Sequence, residues 1–200
     1  IQSLVTDNPN IDPVYIKNLH KLDKLSKERL LKGNWEYDDS LGKLFKYDDI
    51  LNIFTNTFVT GFEKYLTCDV ARKGSDKCVI MVWSGLRVDK IIEYDISLNK
   101  QIRMTIQELC ETHSIPRSNI VIDEDEVGGG VVDELEGCVG FVNNSRALGD
   151  ENYRNLKSQC YFKLAEYVEQ NKIYVDCPDV IIKDKLIQDL EKERMKEPDK

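Results

Sequence analysis

Three strand-like segments joined by two short turns lie between residues 63 and 95, and they restrict the fold more than any other feature of the sequence. "EKYLTCD" (63–69), "KCVIMVWS" (77–84) and "RVDKIIEYD" (87–95) are rich in β-branched and aromatic residues, while "ARKGSD" and "SGL" carry turn chemistry. Links this short make neighbours antiparallel, so the segments read as a three-stranded meander. After the meander the pattern alternates. "KQIRMTIQELCETH" places Ile102, Ile106, Leu109 and Cys110 on one helical face, and Pro116 ends it by disfavouring helix in the residue before it. "NIVID" (119–123) is a short, nearly continuous apolar run of the kind buried on both faces of a sheet. A short helix is expected at 131–136, then a strand at "CVGFV". Asp150 is the expected cap of a long helix over 151–170, with Tyr153, Leu156, Cys160, Leu164 and Tyr167 inward. "KIYV" gives a last strand and 180–196 a charged helix. The expected class is α/β, a mixed sheet with an antiparallel meander, parallel strands and flanking helices.

Upstream, "NIDPVYIKNLHKLDKLSKERLLKGNWEY" has the punctuation of a helix: Asp12 as N-cap, Pro13 at the first turn and Gly33 at the stop. Tyr15, Leu19, Leu22 and Leu30 recur at near-helical spacing among Lys17, Lys21, Lys24 and Lys27, which fits a packing helix with a solvated face. With 200 residues the chain accommodates one well-buried domain plus an appendage. It opens on Ile1 rather than Met and ends in polar "EKERMKEPDK", as expected of a piece of a longer protein. No stretch reaches the roughly 20 apolar residues of a membrane helix. The six cysteines are scattered without a C-x-x-C pair, and only His20 and His113 could join them, so a zinc site is not expected. Buried free thiols in a reducing cytosol fit better. A net charge of −8 argues against a generic nucleic-acid binder, which needs clustered Lys and Arg.

Four consecutive acids, Asp123, Glu124, Asp125 and Glu126, follow "NIVI" and precede Gly128–Gly130. Apolar residues ending in Asp-Glu suit a Walker B strand, but the G-x-x-x-x-G-K-[ST] loop it requires is missing from the sequence. A calcium loop would use Asp123, Asp125, Gly128 and Glu134, yet Val127 occupies a ligand position and no helix enters the loop. The remaining alternatives are a surface turn and a divalent-metal site completed by an acid elsewhere. Asp69 is the candidate, because it ends the first strand among apolar and small residues. If that strand is central and "NIVID" lies beside it, Asp69 and Asp123 share one sheet edge and raise each other's pKa unless a cation neutralises them. Two ions about 4 Å apart on such carboxylates activate water against a phosphodiester. An acid pair on this order of elements belongs to the ribonuclease H-like arrangement.

The residues resemble the C-terminal nuclease half of the large terminase subunit of tailed bacteriophages and prophages. "YIKNLHKLDKLSKERLLKGNWEY" resembles the segment leaving the ATPase domain, "CDVARKGSDKCVIMVW" the first nuclease strand and hairpin, "VIDEDEVGGGVVDEL" the second acidic strand, and "NYRNLKSQCYFKLAEYVEQNKIYV" the long helix with its following strand. The resemblance implies a helical arm over 1–57, leading from an ATPase domain outside this chain, and a ribonuclease H-like nuclease domain over 58–200. It implies a two-metal endodeoxyribonuclease that cuts concatemeric viral DNA with Mg²⁺ or Mn²⁺ in the host cytosol. Asp69 and Asp123 would be the catalytic metal ligands, with Asp125, Glu126 and Asp76 as further candidates. Arg72, Lys73 and Lys77 would contact DNA, with Arg154 and Lys157 weaker candidates. The implied partners are double-stranded DNA, the ATPase domain, the small terminase subunit and the portal. The sequence departs from the family at Glu126, where Gly is usual, and no counterpart of the family's third metal-binding Asp follows Glu197. Asp179 and Asp184 replace it only if the fold carries them to the site. Two alternatives remain: a catalytically silent module of the same fold that docks DNA or packaging proteins, and a resolvase- or transposase-like nuclease.

Overall fold

A computed structural model of the chain describes residues 43–70, 77–94, 99–125 and 129–193. The expected helix between Asp12 and Gly33 lies outside the described residues. The meander is present as β1 (Lys64–Asp69), β2 (Cys78–Ser84) and β3 (Arg87–Tyr94), antiparallel throughout, with Lys64 opposite Ser84 and Cys78 opposite Tyr94. Gly85 begins the two-residue turn between β2 and β3 with φ at +57°, a conformation that favours glycine. Before the meander, α1 spans Tyr47–Asn52. After it come α2 (Asn99–His113), β4 (Ile120–Asp123), α3 (Gly129–Glu134), β5 (Val139–Phe141), α4 (Leu156–Glu169), β6 (Tyr174–Val175) and α5 (Val180–Lys192). Among the described residues six strands form one sheet in the order β5-β4-β1-β2-β3-β6. Strand β4 runs parallel to β1, β5 parallel to β4, and β6 parallel to β3. The expected mixed sheet with flanking helices is the observed one.

Strand alternation divides the core in two. Leu66, Cys68, Ile80, Val82, Ile120 and Ile122 face α2 and α3, where Ile102, Ile106, Leu109, Val131 and Leu135 close the layer. On the other face Met81, Trp83, Ile91 and Val175 meet α1, α4 and α5, which contribute Ile50, Val168, Leu186 and Ile187. The Trp83 indole nitrogen donates to Thr67 Oγ1 at 3.0 Å, so this face also ties β2 to β1. Residues 43–57 belong to the second layer: Phe45, Ile50 and Ile53 are buried, and the Asn56 amide donates to the Ile173 carbonyl.

The long helix differs from the sequence expectation. It begins at Leu156, with Asn155 as its cap accepting from Ser158 N, while Asp150 sits in a preceding 3₁₀ turn with φ at +55°. Its inward stripe runs through Tyr161, Leu164, Ala165, Tyr167 and Val168, so Leu164 and Tyr167 lie inward as expected, while Cys160 is exposed. This helix also carries an aromatic on its outer side, where Phe162 meets Tyr153 of the preceding segment at 5.9 Å, so periodicity alone defines its inner face poorly.

Ion pairs tie the last helix to the meander. Glu93 of β3 accepts from Lys185 of α5 at 2.9 Å and pairs with Lys77, just before β2, at 3.3 Å. Burial pushes the Glu93 carboxyl up, but the Lys185 and Lys77 ammonium groups outweigh it and hold its pKa below the usual 4.5. A depressed carboxyl contributes stability in full above its unfolded value and loses it as pH falls through the lower folded value. Glu93→Gln should therefore be less stable than the wild type at neutral pH, and its urea midpoint should fall less steeply below pH 4.5. Equal midpoints at neutral pH would contradict this. Ile122, fully buried in β4, gives a second test. Ile122→Ala should cost about 2–5 kcal/mol in urea unfolding, and a loss below about 1 kcal/mol would mean the layer against α2 collapses around the gap.

Candidate metal centre

Cys68 of β1 pairs in register with Ile122 of β4. The next residue on each strand is an Asp, so Asp69 and Asp123 end adjacent parallel strands at the same edge. Their backbones are one strand spacing apart, about 5 Å. Cys68 and Ile122 are buried toward α2, so alternation sends both acids to the opposite face. Asp69 is exposed there and Asp123 half-buried. Carboxyl ends of parallel strands are where open α/β sheets place their ligand crevices.

After Asp123 the chain turns through its own side chain: Asp125 N donates to Asp123 Oδ1 at 3.0 Å. Glu124 N still donates to the Phe141 carbonyl, at 2.9 Å, and its carboxylate lies over Gly140, where an added Cβ would collide with Oε2. Asn143, just beyond β5, reaches into this loop. Its backbone N donates to Asp125 Oδ2 at 3.0 Å, its amide donates to the same oxygen, and the amide also approaches Asp123 Oδ2 at 3.5 Å. Sequence reasoning passed over Asn143, since an Asn after a strand reads as turn chemistry.

Helix α4 overlooks the same edge. Burial raises the Tyr161 phenol, and the acids Glu193, Asp69 and Asp189 raise it further, so Tyr161 lies within electrostatic reach of Asp69 and of the end of α5. The Lys157 ammonium lies 5.9 Å from the centre of the Tyr161 ring. Tyr161 was assigned no functional part in the sequence, and neither were Asp189 and Glu193.

The other candidates fall in different places. Asp76, Arg72, Lys73 and Glu126 lie outside the described residues. Lys77 is paired with Glu93. Asp179 caps α5 through Ile181 N and Ile182 N, at 2.8 and 3.2 Å, so its carboxylate serves the helix; Asp184 lies exposed farther along α5. Arg154 is exposed just before α4. Among the described residues no three metal-ligating side chains converge. The oxygen donors at the edge nevertheless suit Mg²⁺ or Mn²⁺, which use one or two carboxylates and complete their shell with water or substrate oxygen. Among the described residues, no helix is long and apolar enough to cross a membrane.

No protein-family model matches the sequence, and no curated protein matches it. Solved structures do. The nuclease domain of the large terminase subunit gp2 of bacterial virus Sf6 superposes with a TM-score of 0.62 at 15% identity, over 74% of this chain and 81% of that one. A mutant of that domain, with manganese and beta-thujaplicinol, gives 0.63 at 14% identity and the same coverage. The large terminase nuclease from thermophilic phage G20c, with bound magnesium, gives 0.50 at 15% identity, over 74% of this chain and 80% of that one. The chain therefore has the fold of large terminase nuclease domains, the ribonuclease H-like arrangement expected from the order of its elements.

Proposed function

We propose that this chain is the metal-dependent endonuclease domain of a phage DNA-packaging terminase, with Asp69 and Asp123 as its metal ligands. The register of β1 with β4 carries the reading, because it sets two carboxylates together at the carboxyl edge of parallel strands. The likeness to nuclease domains solved with manganese and magnesium supports it further. Bound Mg²⁺ or Mn²⁺ would supply a Lewis acid for a phosphodiester oxygen and lower the pKa of water that attacks phosphorus. Asp69 and Asp123 would hold the cation from the two strand ends, and a two-ion site is the fuller form of the reading. Arg72 and Lys73 lie in the segment after Asp69 and are proposed phosphate contacts. Lys77 would have to leave Glu93 to join them.

In this reading residues 1–57 lead from an ATPase domain into the nuclease domain of residues 58–200, and the last part of the arm, from Lys43, is seated on the sheet. The substrate is concatemeric double-stranded viral DNA in the host cytosol, and the small terminase subunit and portal are the expected partners of the whole protein. One observation favours a silent docking module instead: the described residues bring no third ligand to the edge. Titration with MnCl₂ in a calorimeter separates the two, because a docking module has no need of the cation.

Plasmid nicking in Mn²⁺ tests the proposal. Asp69→Asn should abolish nicking and Mn²⁺ binding while leaving the thermal midpoint near that of the wild type. Undiminished nicking by this variant would remove Asp69 from the mechanism, and absence of Mn²⁺ binding by the wild type would favour the docking module.

A further inference from the structure

Asp123 at the end of β4 and Asp125 two residues on are both held by neutral hydrogen-bond donors, and strand position together with those bonds gives them different tasks. An amide nitrogen has two hydrogens. Those of Asn143 face Asp125 Oδ2 and Asp123 Oδ2, while the Asn143 backbone N–H also points to Asp125 Oδ2. Asp125 Oδ2 is thus held by two donors of one residue. Asp123 likewise accepts two donors, one on each oxygen, so each carboxylate, with about four lone-pair sites, retains capacity toward a cation. What sets Asp123 apart is its place at the end of β4 beside Asp69, fixed by the Cys68–Ile122 register, whereas Asp125 lies two residues on and turned to Asn143. Asn143 is itself fixed from behind. Its carbonyl accepts from Lys157 N at 3.1 Å, and Leu156 N donates to the Ser145 carbonyl at 2.7 Å, so the first turn of α4 braces the segment.

We infer that Asn143 is the positioning residue of the metal centre: it orients Asp123 toward the cation, and Asp125 is its anchor rather than a ligand. The inference rests on the metal-dependent reading above and adds to it a residue and a division of labour among the acids. Physically, Asn143 suits the task because its N–H groups orient two neighbouring carboxylates without neutralising either. A Lys in its place would satisfy the carboxylates by charge and compete with the ion.

Calorimetric titration of the full chain with MnCl₂, accompanied by thermal midpoints, tests this. Asn143→Ala and Asp125→Ala should each weaken Mn²⁺ binding by about 10-fold, at the low end of what outer-shell partners carry. The double variant should bind no more weakly than Asp125→Ala alone, because the two residues act as a unit. Asp123→Asn should lose binding altogether. Asn144→Ala, which removes only the acceptor for the Asn155 amide, should leave the affinity unchanged. Should Asn143→Ala fail to fold, Asn143→Ser keeps the backbone donor to Asp125, removes the amide, and should show the same weakening.

Wild-type affinity in folded Asn143→Ala or Asn143→Ser would overturn the positioning role while leaving the metal reading intact. A loss in Asp125→Ala as complete as in Asp123→Asn would make Asp125 a ligand and overturn the anchor. A wild type that binds no Mn²⁺ would overturn the metal reading and this inference together.

Discussion

The parallel pairing of β4 with β1 is the constraint on which the rest of the molecule depends. Leu66 lies opposite Ile120 and Cys68 opposite Ile122, and these four buried side chains seat helices α2 and α3. The same register brings Asp69 and Asp123 out together on the other face. Side-chain direction alternates along a strand, so a slip of one residue would turn Asp123 toward the core and Ile122 away from it. Burying an unpaired carboxylate costs several kcal/mol, and exposing Ile122 forfeits about 2 kcal/mol of burial. Apolar packing thus enforces the placement of the acids, although none of the packing residues has any chemistry of its own.

At the end of β4 the described hydrogen bonds orient two carboxylates without neutralising them. The hydrogen bonds to Asp123 and Asp125 come from the Asp125 backbone and from Asn143, all of them neutral donors. Ion pairs elsewhere show the contrast. Asp89, between Lys64 and Arg87, has its carboxyl pKa lowered: burial opposes the shift, and the Ser84, Lys64 and Arg87 contacts outweigh it. That cluster, at the far end of β1 and β2, is complete as a structural clasp. Neutral donors thus hold Asp123 and Asp125, while cations hold Asp89 at the far end of the same sheet.

Much of this was legible in the sequence because strands and acids follow strong local rules. The meander, "NIVID" and α2 emerged within a residue or two of their expected bounds, since alternation, Pro116 and short turns all agree there. Asp69 and Asp123 stood out because charged residues at the ends of apolar runs conflict with their surroundings. Less local matters were hidden. The sequence points to Asp150 as the start of α4, five residues before the cap at Asn155, because both residue types are good caps and only tertiary contacts choose between them. Gln159 is buried where polarity suggests exposure, since its amide both donates to the Leu148 carbonyl and accepts from Leu148 N. Asn143 was invisible for the same reason: its partners are 18 and 20 residues away in the chain, and no sequence pattern links them.

The distribution of basic residues limits how the proposed nuclease could hold DNA. Phosphate attraction requires uncommitted Lys and Arg, and the chain has a net charge of −8. Many of the described bases are already committed: Lys64 to Asp89, Lys77 and Lys185 to Glu93, Arg87 to Asp89 and Asp176, Arg103 to Glu134, and Lys163 to Glu151. Each pair would have to be broken, at a cost of about 1 kcal/mol for surface pairs, before its cation could serve a phosphate. In the proposed reading a metal-loaded edge would add electrostatic attraction for a phosphodiester that these paired bases do not supply. Affinity for DNA then depends on the cation and on other parts of the packaging assembly. In that reading, weak binding by the domain alone would confine cleavage to DNA delivered to the edge.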